Sequence, residues 1–374
     1  MSESLLVATR KGLFILDRGR SRSGSNWRIA RTAFIGDNVV LAAADPRDKT
    51  LYAALSLGHF GGKMHRSADR GATWEEIAVP EYPEPPGGKS PDVCPMRGTE
   101  IPWKLALLWS LSPGGADQPG RMWCGTIPGG LFRSDDRGGS WSLVRSLWDN
   151  PARKEWLGGG YDYPGIHSII VDPRDSKHIT VGVSCGGVWE SFNDGETWAC
   201  CAEGMVAVYM PPERQRDPII QDPHIVVASR NHPDAMWTQH HNGIFRTVDG
   251  CKKWTEVENA PVSNFGFACA VHPDDPDTAW FVPAVKDEKR VPVDGKLVVT
   301  RTRDGGENFD VLTEGLPQEH AYDIVFRHAL DIDSSGECLA FGSTTGSLFA
   351  SENQGEKWDC ISRHLPPIYA VRFV

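Results

Sequence analysis

Ser134-Asp135-Asp136-Arg137-Gly138-Gly139-Ser140-Trp141 is the stretch on which the reading of this chain turns. The phrase also stands at 67–74, as Ser-Ala-Asp-Arg-Gly-Ala-Thr-Trp, and at 191–198, as Ser-Phe-Asn-Asp-Gly-Glu-Thr-Trp. Looser copies follow at 247–254, 302–309 and 351–358, all three without the hydroxyl before the aromatic. In the fourth copy Cys251 takes the place of glycine. Each position suits a tight hairpin turn. Ser or Thr and Asp or Asn oxygens fold back onto nearby backbone N–H groups, glycine adopts positive φ, and the aromatic opens a strand by burying its ring.

Before the turns, Gly130-Leu131-Phe132-Arg133, Gly187-Val188-Trp189-Glu190 and Gly243-Ile244-Phe245-Arg246 alternate as half-buried strands do. Two more strands lie upstream of each, joined by Pro- and Asp-rich turns such as 171–175 and 271–277. One repeat therefore predicts a four-stranded antiparallel sheet. The closing aromatics at 74, 141, 198, 254, 309 and 358 are 49 to 67 residues apart, which suits one propeller blade each. A further blade is split between the termini: 5–16 reads as a hairpin, Trp27 as its closing aromatic, and 368–374 as the missing first strand, similar to 321–326. The expectation is an all-β fold, a single seven-bladed β-propeller over 1–374, with blade ends near Trp27, Trp74, Trp141, Trp198, Trp254, Phe309 and Trp358. The C-terminal strand closes the ring by pairing with the N-terminal hairpin.

Composition agrees. Gly and Pro supply 39 and 27 of 374 residues, too many turn formers for a few long helices. With 40% hydrophobic and 24% charged residues the chain can bury a large core. The balance of 39 basic against 49 acidic residues, a net charge of −10, opposes nucleic-acid backbones and anionic membranes as partners. Arg10-Lys11 follow the short apolar patch 5–8, the reverse of signal-peptide order, and no run of 18 apolar residues occurs. Nine scattered cysteines without a CxxC pair, and no Asn-x-Ser/Thr acceptor, read as reduced thiols in a cytoplasmic protein.

The phrase is the Asp-box, or bacterial neuraminidase repeat (BNR). The chain resembles the Asp-box propeller superfamily, which includes sialidases, xyloglucan-degrading glycosidases, sortilin-type receptors and photosystem II assembly factors. More narrowly, it is similar to bacterial BNR-repeat glycosyl hydrolase and exo-alpha-sialidase-like proteins. In such propellers the resemblance places the box on the face opposite the ligand site, so activity must be read from other loops.

Those loops are the fourth-to-first connections, roughly 80–102, 148–165 and 203–222, and the second-to-third connections 56–65, 240–243 and 283–296. They and the inner-strand starts hold most histidines. His59, His167, His224 and His240 are candidate ligands for zinc or another divalent transition metal, although no HExxH-type spacing supports them. Adjacent His240 and His241 point to opposite sides of a strand, so at most one faces the channel. Asp162, Asp222 and Asp323 are candidate catalytic carboxylates. Lys104, at the head of an apolar inner strand, suits an anion binder, a base or an ion pair. Lys286 and Arg290 suit either a clamp for a carboxylate or phosphate or a solvated loop tip. Tyr161 in the glycine-rich 158–164 suits a rim over a polar substrate, and His320 is a further ligand-binding candidate. His178, His232, His328 and His364 are assigned to turns or surface.

Sialidases carry a Phe/Tyr-Arg-Ile-Pro signature near the first strand, whereas this chain reads Ala8-Thr9-Arg10-Lys11-Gly12, which argues against sialidase chemistry. Arg10, Arg230, Arg290 and Arg327 are available, but nothing in the sequence places them together. The expected function is a glycosyl-hydrolase-like hydrolase, or a lyase, acting on a small polar or carbohydrate substrate at the central channel, with metal assistance. The alternative is a non-catalytic ligand-binding or assembly propeller.

Overall fold

The computed structural model describes residues 4–19, 27–159 and 161–374. It consists of seven four-stranded antiparallel sheets in a ring. Six take their strands consecutively, as in Pro223–Ser229, His232–His240, Gly243–Thr247 and Thr255–Glu256. The seventh is shared by the termini. Ile368–Phe373 pairs with Ser4–Thr9, placing Val371 opposite Val7 and Phe373 opposite Leu5, and Gly12–Arg18 and Trp27–Ala33 complete the sheet. Closure makes Ile368–Phe373 the innermost strand of this sheet and gives Ser4–Thr9 a partner on both sides.

The turn phrase does locally what its residues dictate. In the second blade from the N-terminal sheet, Ser134 Oγ accepts the Gly138 N–H at 2.8 Å, and Asp136 Oδ1 accepts the Ser140 N–H at 2.8 Å. The same pair recurs at Ser67/Asp69, Ser191/Asn193, Thr302/Asp304 and Ser351/Asn353. Two successive residues in each turn take positive φ, as at Arg137 (60°) and Gly138 (84°). Cys251 occupies the glycine place at φ 66°, a conformation disfavoured for a side chain with Cβ, and its thiol packs into the core against Met236.

Indoles fill the space between sheets. Trp123, Trp237, Trp280 and Trp358 are fully buried, each worth roughly 3–5 kcal/mol against truncation to alanine. All nine cysteines are free. Among the described residues no helix is long and apolar enough to cross a membrane.

One expected element differs. The stretch 321–326 forms no ladder, and the first strand of its blade is Leu330–Ile332. Side chains take up the polar groups there: Thr344 Oγ1 accepts the Ile324 N–H at 3.2 Å, and Ser343 and Thr345 donate their hydroxyls to Asp323. This stretch leads directly into Arg327 and His328 in the channel wall.

Candidate functional site

Six of the seven inner strands share an irregularity near the channel mouth. Their pairing with the second strand skips a residue at Val40, Trp109, His167, His224, Tyr369 and, in a wider bulge, Phe267-Ala268. A bulge turns a residue out of the ladder. Their rings touch in sequence around the mouth: Trp109 with His167 at 5.6 Å, His224 with Phe267 at 4.7 Å, Phe267 with Phe326 at 6.2 Å, and Phe326 with Tyr369 at 6.3 Å. Two cavities of about 370 and 340 Å³ open here and share Arg290 and Arg327.

The second cavity contains Asp222, His224 and His241, whose ligand atoms all lie within 4.8 Å of one another. Asp222 Oδ2 is 3.7 Å from His224 Nε2 and 3.5 Å from His241 Nδ1. Its other oxygen accepts from the Ser184 hydroxyl at 3.1 Å and the Cys185 N–H at 3.0 Å. Burial alone would raise this carboxyl, but the two imidazoles and the nearby Arg327 charge hold it well below the usual range. His224 Nδ1 lies 2.6 Å from the Gly266 carbonyl. A carbonyl only accepts, so Nδ1 carries a proton, and Nε2 faces Asp222 Oδ2 across the cavity. Burial lowers His224, whereas the Asp222 carboxylate outweighs burial and raises His241.

His240 and His241 exchange the roles expected of them. His240 is in the ladder opposite Gly243, its ring turned inward against Phe245, with the backbone N–H of Asp222 3.0 Å from its Nε2. It positions Asp222 and does not join the cluster. His241, the first residue past the strand, is outside the ladder and projects into the cavity. The short His241-Asn242 connection between two strands was the available signal.

Arg327 is the other residue whose role was unread. Its guanidinium lies over Trp109 at 5.0 Å and Phe267 at 5.5 Å. Beside it, His328 is buried with Nε2 2.8 Å from the His167 carbonyl, so its assignment to a turn or the surface is corrected. Arg290 lies over Phe267 at 5.2 Å and Tyr161 packs on Trp109 at 5.4 Å, which brings both candidates to the mouth.

The remaining candidates are elsewhere. His167 is buried behind Trp109, with Nδ1 2.9 Å from Ser168 Oγ and Nε2 without a partner. Asp162 is exposed and paired with Arg97 at 2.5 Å. Asp323 is committed to the hydroxyls of Ser343 and Thr345, a turn role imposed by its neighbours. Lys104 and His320 are exposed and line neither mouth cavity. Lys286 pairs with Glu288 at 3.4 Å on the solvent side of its loop, and exposed His59 stacks on Phe60 at 3.9 Å. Arg230 lines a different cavity, with Asp331 and Arg372, so it does not join Arg290 and Arg327.

Comparison with known families matches the BNR-Asp box repeat at residues 131–143, the turn described above with its preceding strand. The chain is a seven-bladed propeller that carries the BNR-Asp box turn. Over 163 residues, 43% of its length, this propeller is 25% identical to an oligoxyloglucan-reducing end-specific xyloglucanase of Neosartorya fischeri, covering 17% of that protein. Over 188 residues, 46% of its length, it is 23% identical to a xyloglucanase of Acetivibrio thermocellus, covering 21% of it. The matched part thus spans about a fifth of these relatives or less. Among solved structures, the GH74 xyloglucanase of Xanthomonas campestris superposes with a TM-score of 0.64 at 18% identity, covering 96% of this chain and 52% of that one.

Proposed function

We propose that this propeller is a metal-assisted hydrolase of a small, polar, sugar-like substrate bound at the channel mouth. The observation that carries the reading is the Asp222, His224 and His241 cluster, open to a cavity of about 340 Å³. Ligands about 2.0–2.2 Å from a tetrahedral ion stand roughly 3.4 Å apart, close to the two separations from Asp222 Oδ2. Two imidazoles and one carboxylate leave a coordination position free, the pattern of catalytic zinc sites. Gly266 fixes the His224 tautomer, and the Ser184 hydroxyl and Cys185 N–H orient Asp222. Asp222, His224 and His241 would hold the divalent cation, which would supply Lewis acidity at the channel mouth.

The carboxylate-pair alternative has less support, since Asp222 is held ionised and cannot serve as the acid. Rings that form a collar suit the apolar faces of a sugar, and the two relatives matched by sequence are xyloglucanases.

The test is metal analysis of the purified chain with a zinc titration, beside His224→Ala and His241→Ala. About one divalent transition ion per chain, lost in both variants, is the expected result, together with zinc-dependent hydrolysis among a panel of glycosides, lactones and sugar esters. A chain that takes up no zinc at micromolar concentration sinks the reading and leaves the non-catalytic propeller.

A further inference from the structure

Three arginines of the described chain are buried, and two are fully engaged. Arg301, 1% exposed, bonds Asp310, Glu356 and the Gln354 carbonyl. Arg153, 6% exposed, bonds Asp92 and the Trp148 carbonyl. Arg327, 9% exposed, has no hydrogen-bond or ion-pair partner among the described residues, and its Nε is buried and unsatisfied. Asp222 lends its charge to this guanidinium from a distance but does not bond it, so the donors of a costly buried cation are left for something else.

The surroundings define that something. Trp109 and Phe267 hold the guanidinium, and Arg327 lines both cavities of the mouth. Arg290 lies over the same Phe267 ring and lines the same two cavities, while Asp287 offsets its charge through a 2.5 Å contact. Asp222, the buried carboxylate of this mouth, is already committed to Ser184, Cys185 and the two histidines. The mouth therefore presents cationic donors on aromatic faces in a chain whose net charge is −10. Guanidinium donors match a carboxylate or phosphate bidentately.

We infer that Arg327, with Arg290 at its rim, is an oxyanion-binding subsite, and that the substrate of the neighbouring cluster is a sugar acid or sugar phosphate, not a neutral glycan. The inference rests on the hydrolase reading for the word substrate; the subsite itself stands on Arg327 alone.

Calorimetric titration of the full chain with glucuronate, glucose 6-phosphate, inorganic phosphate and glucose tests it. At least one sugar anion should bind at least tenfold more tightly than glucose, with affinity falling as salt rises. The preferred anion tells carboxylate from phosphate. Arg327→Gln should lose that binding by tenfold or more. Should it fail to fold, Arg327→Lys, which keeps the charge and loses the flat fork, carries the comparison with a weaker loss. Anion binding equal to glucose, or unchanged in the folded Arg327 variants, overturns the subsite. The double variant His224→Ala/His241→Ala separates the two readings: anion binding retained there supports the subsite even if no zinc ever binds.

Discussion

The two faces of this propeller are built to opposite rules. On the box face, the turn hydroxyls are matched by partners a few residues away: Ser134, Ser191 and Ser351 each accept a glycine N–H four positions on. On the mouth face, Arg327 and His167 are buried with a nitrogen lacking any partner, and Asp222, His224 and His241 converge without filling one another's bonding capacity. Satisfied polar groups stabilise a fold, whereas unsatisfied ones are tolerated where a ligand completes them. The turn hydroxyls therefore read as stability elements, and the charged groups that converge on the mouth as a binding site.

The sharpest way to break it is at the cluster. His224→Ala with His241→Ala should weaken zinc binding by more than about 100-fold, read by competition with a chromogenic chelator, while the thermal midpoint of the metal-free protein holds. A collapse of that midpoint would mean that the cluster is a structural element after all. Next in size, Ser134→Ala orphans the Gly138 N–H and removes a bond to Asp136, which should destabilise by about 1–3 kcal/mol in urea unfolding. Zinc and anion affinities should not move; if they do, the faces are coupled.

Arg327→Met runs the other way. Removing a buried charge that no carboxylate bonds should raise stability by on the order of 1 kcal/mol in the same urea assay while abolishing anion binding. A destabilised Arg327→Met would show that the guanidinium has a structural partner. The smallest effect belongs to acid. Hydrogen bonds from the Thr73 side chain and backbone, and from Ser67, lower the Asp69 carboxyl from 3.8 to about 2. A folded-state value below the unfolded one contributes stability that is present above pH 3.8 and lost as pH falls through about 2. Thermal midpoints of Asp69→Asn and the parent should therefore converge slightly between those limits; an unchanged gap would show that the box carboxylate is not coupled to folding.

Much of the architecture was legible because its determinants are short. Ring closure followed from counting: six boxes and one unmatched hairpin at the start call for a strand at the end. The failure at 321–326 was of another kind, since alternating apolar residues there pack as expected but lend their amides to side chains of a later turn. Within the site, Asp222 and His224 were legible as polar residues at an inner-strand start. His241 was passed over for His240, because alternation says that two neighbours diverge without saying which one leaves the ladder.

What the sequence determined by itself is therefore the turn, its repetition and the ring, because each box bond joins residues no more than four positions apart and recurs wherever the phrase does. What only the tertiary structure decided is the mouth. Bulges turn residues such as Trp109 and His224 out of their ladders, and residues as distant as Trp109, His224 and Arg327 meet at the mouth through the packing of blades. Contacts between distant segments depend on the register and tilt of whole sheets, which no eight-residue phrase encodes.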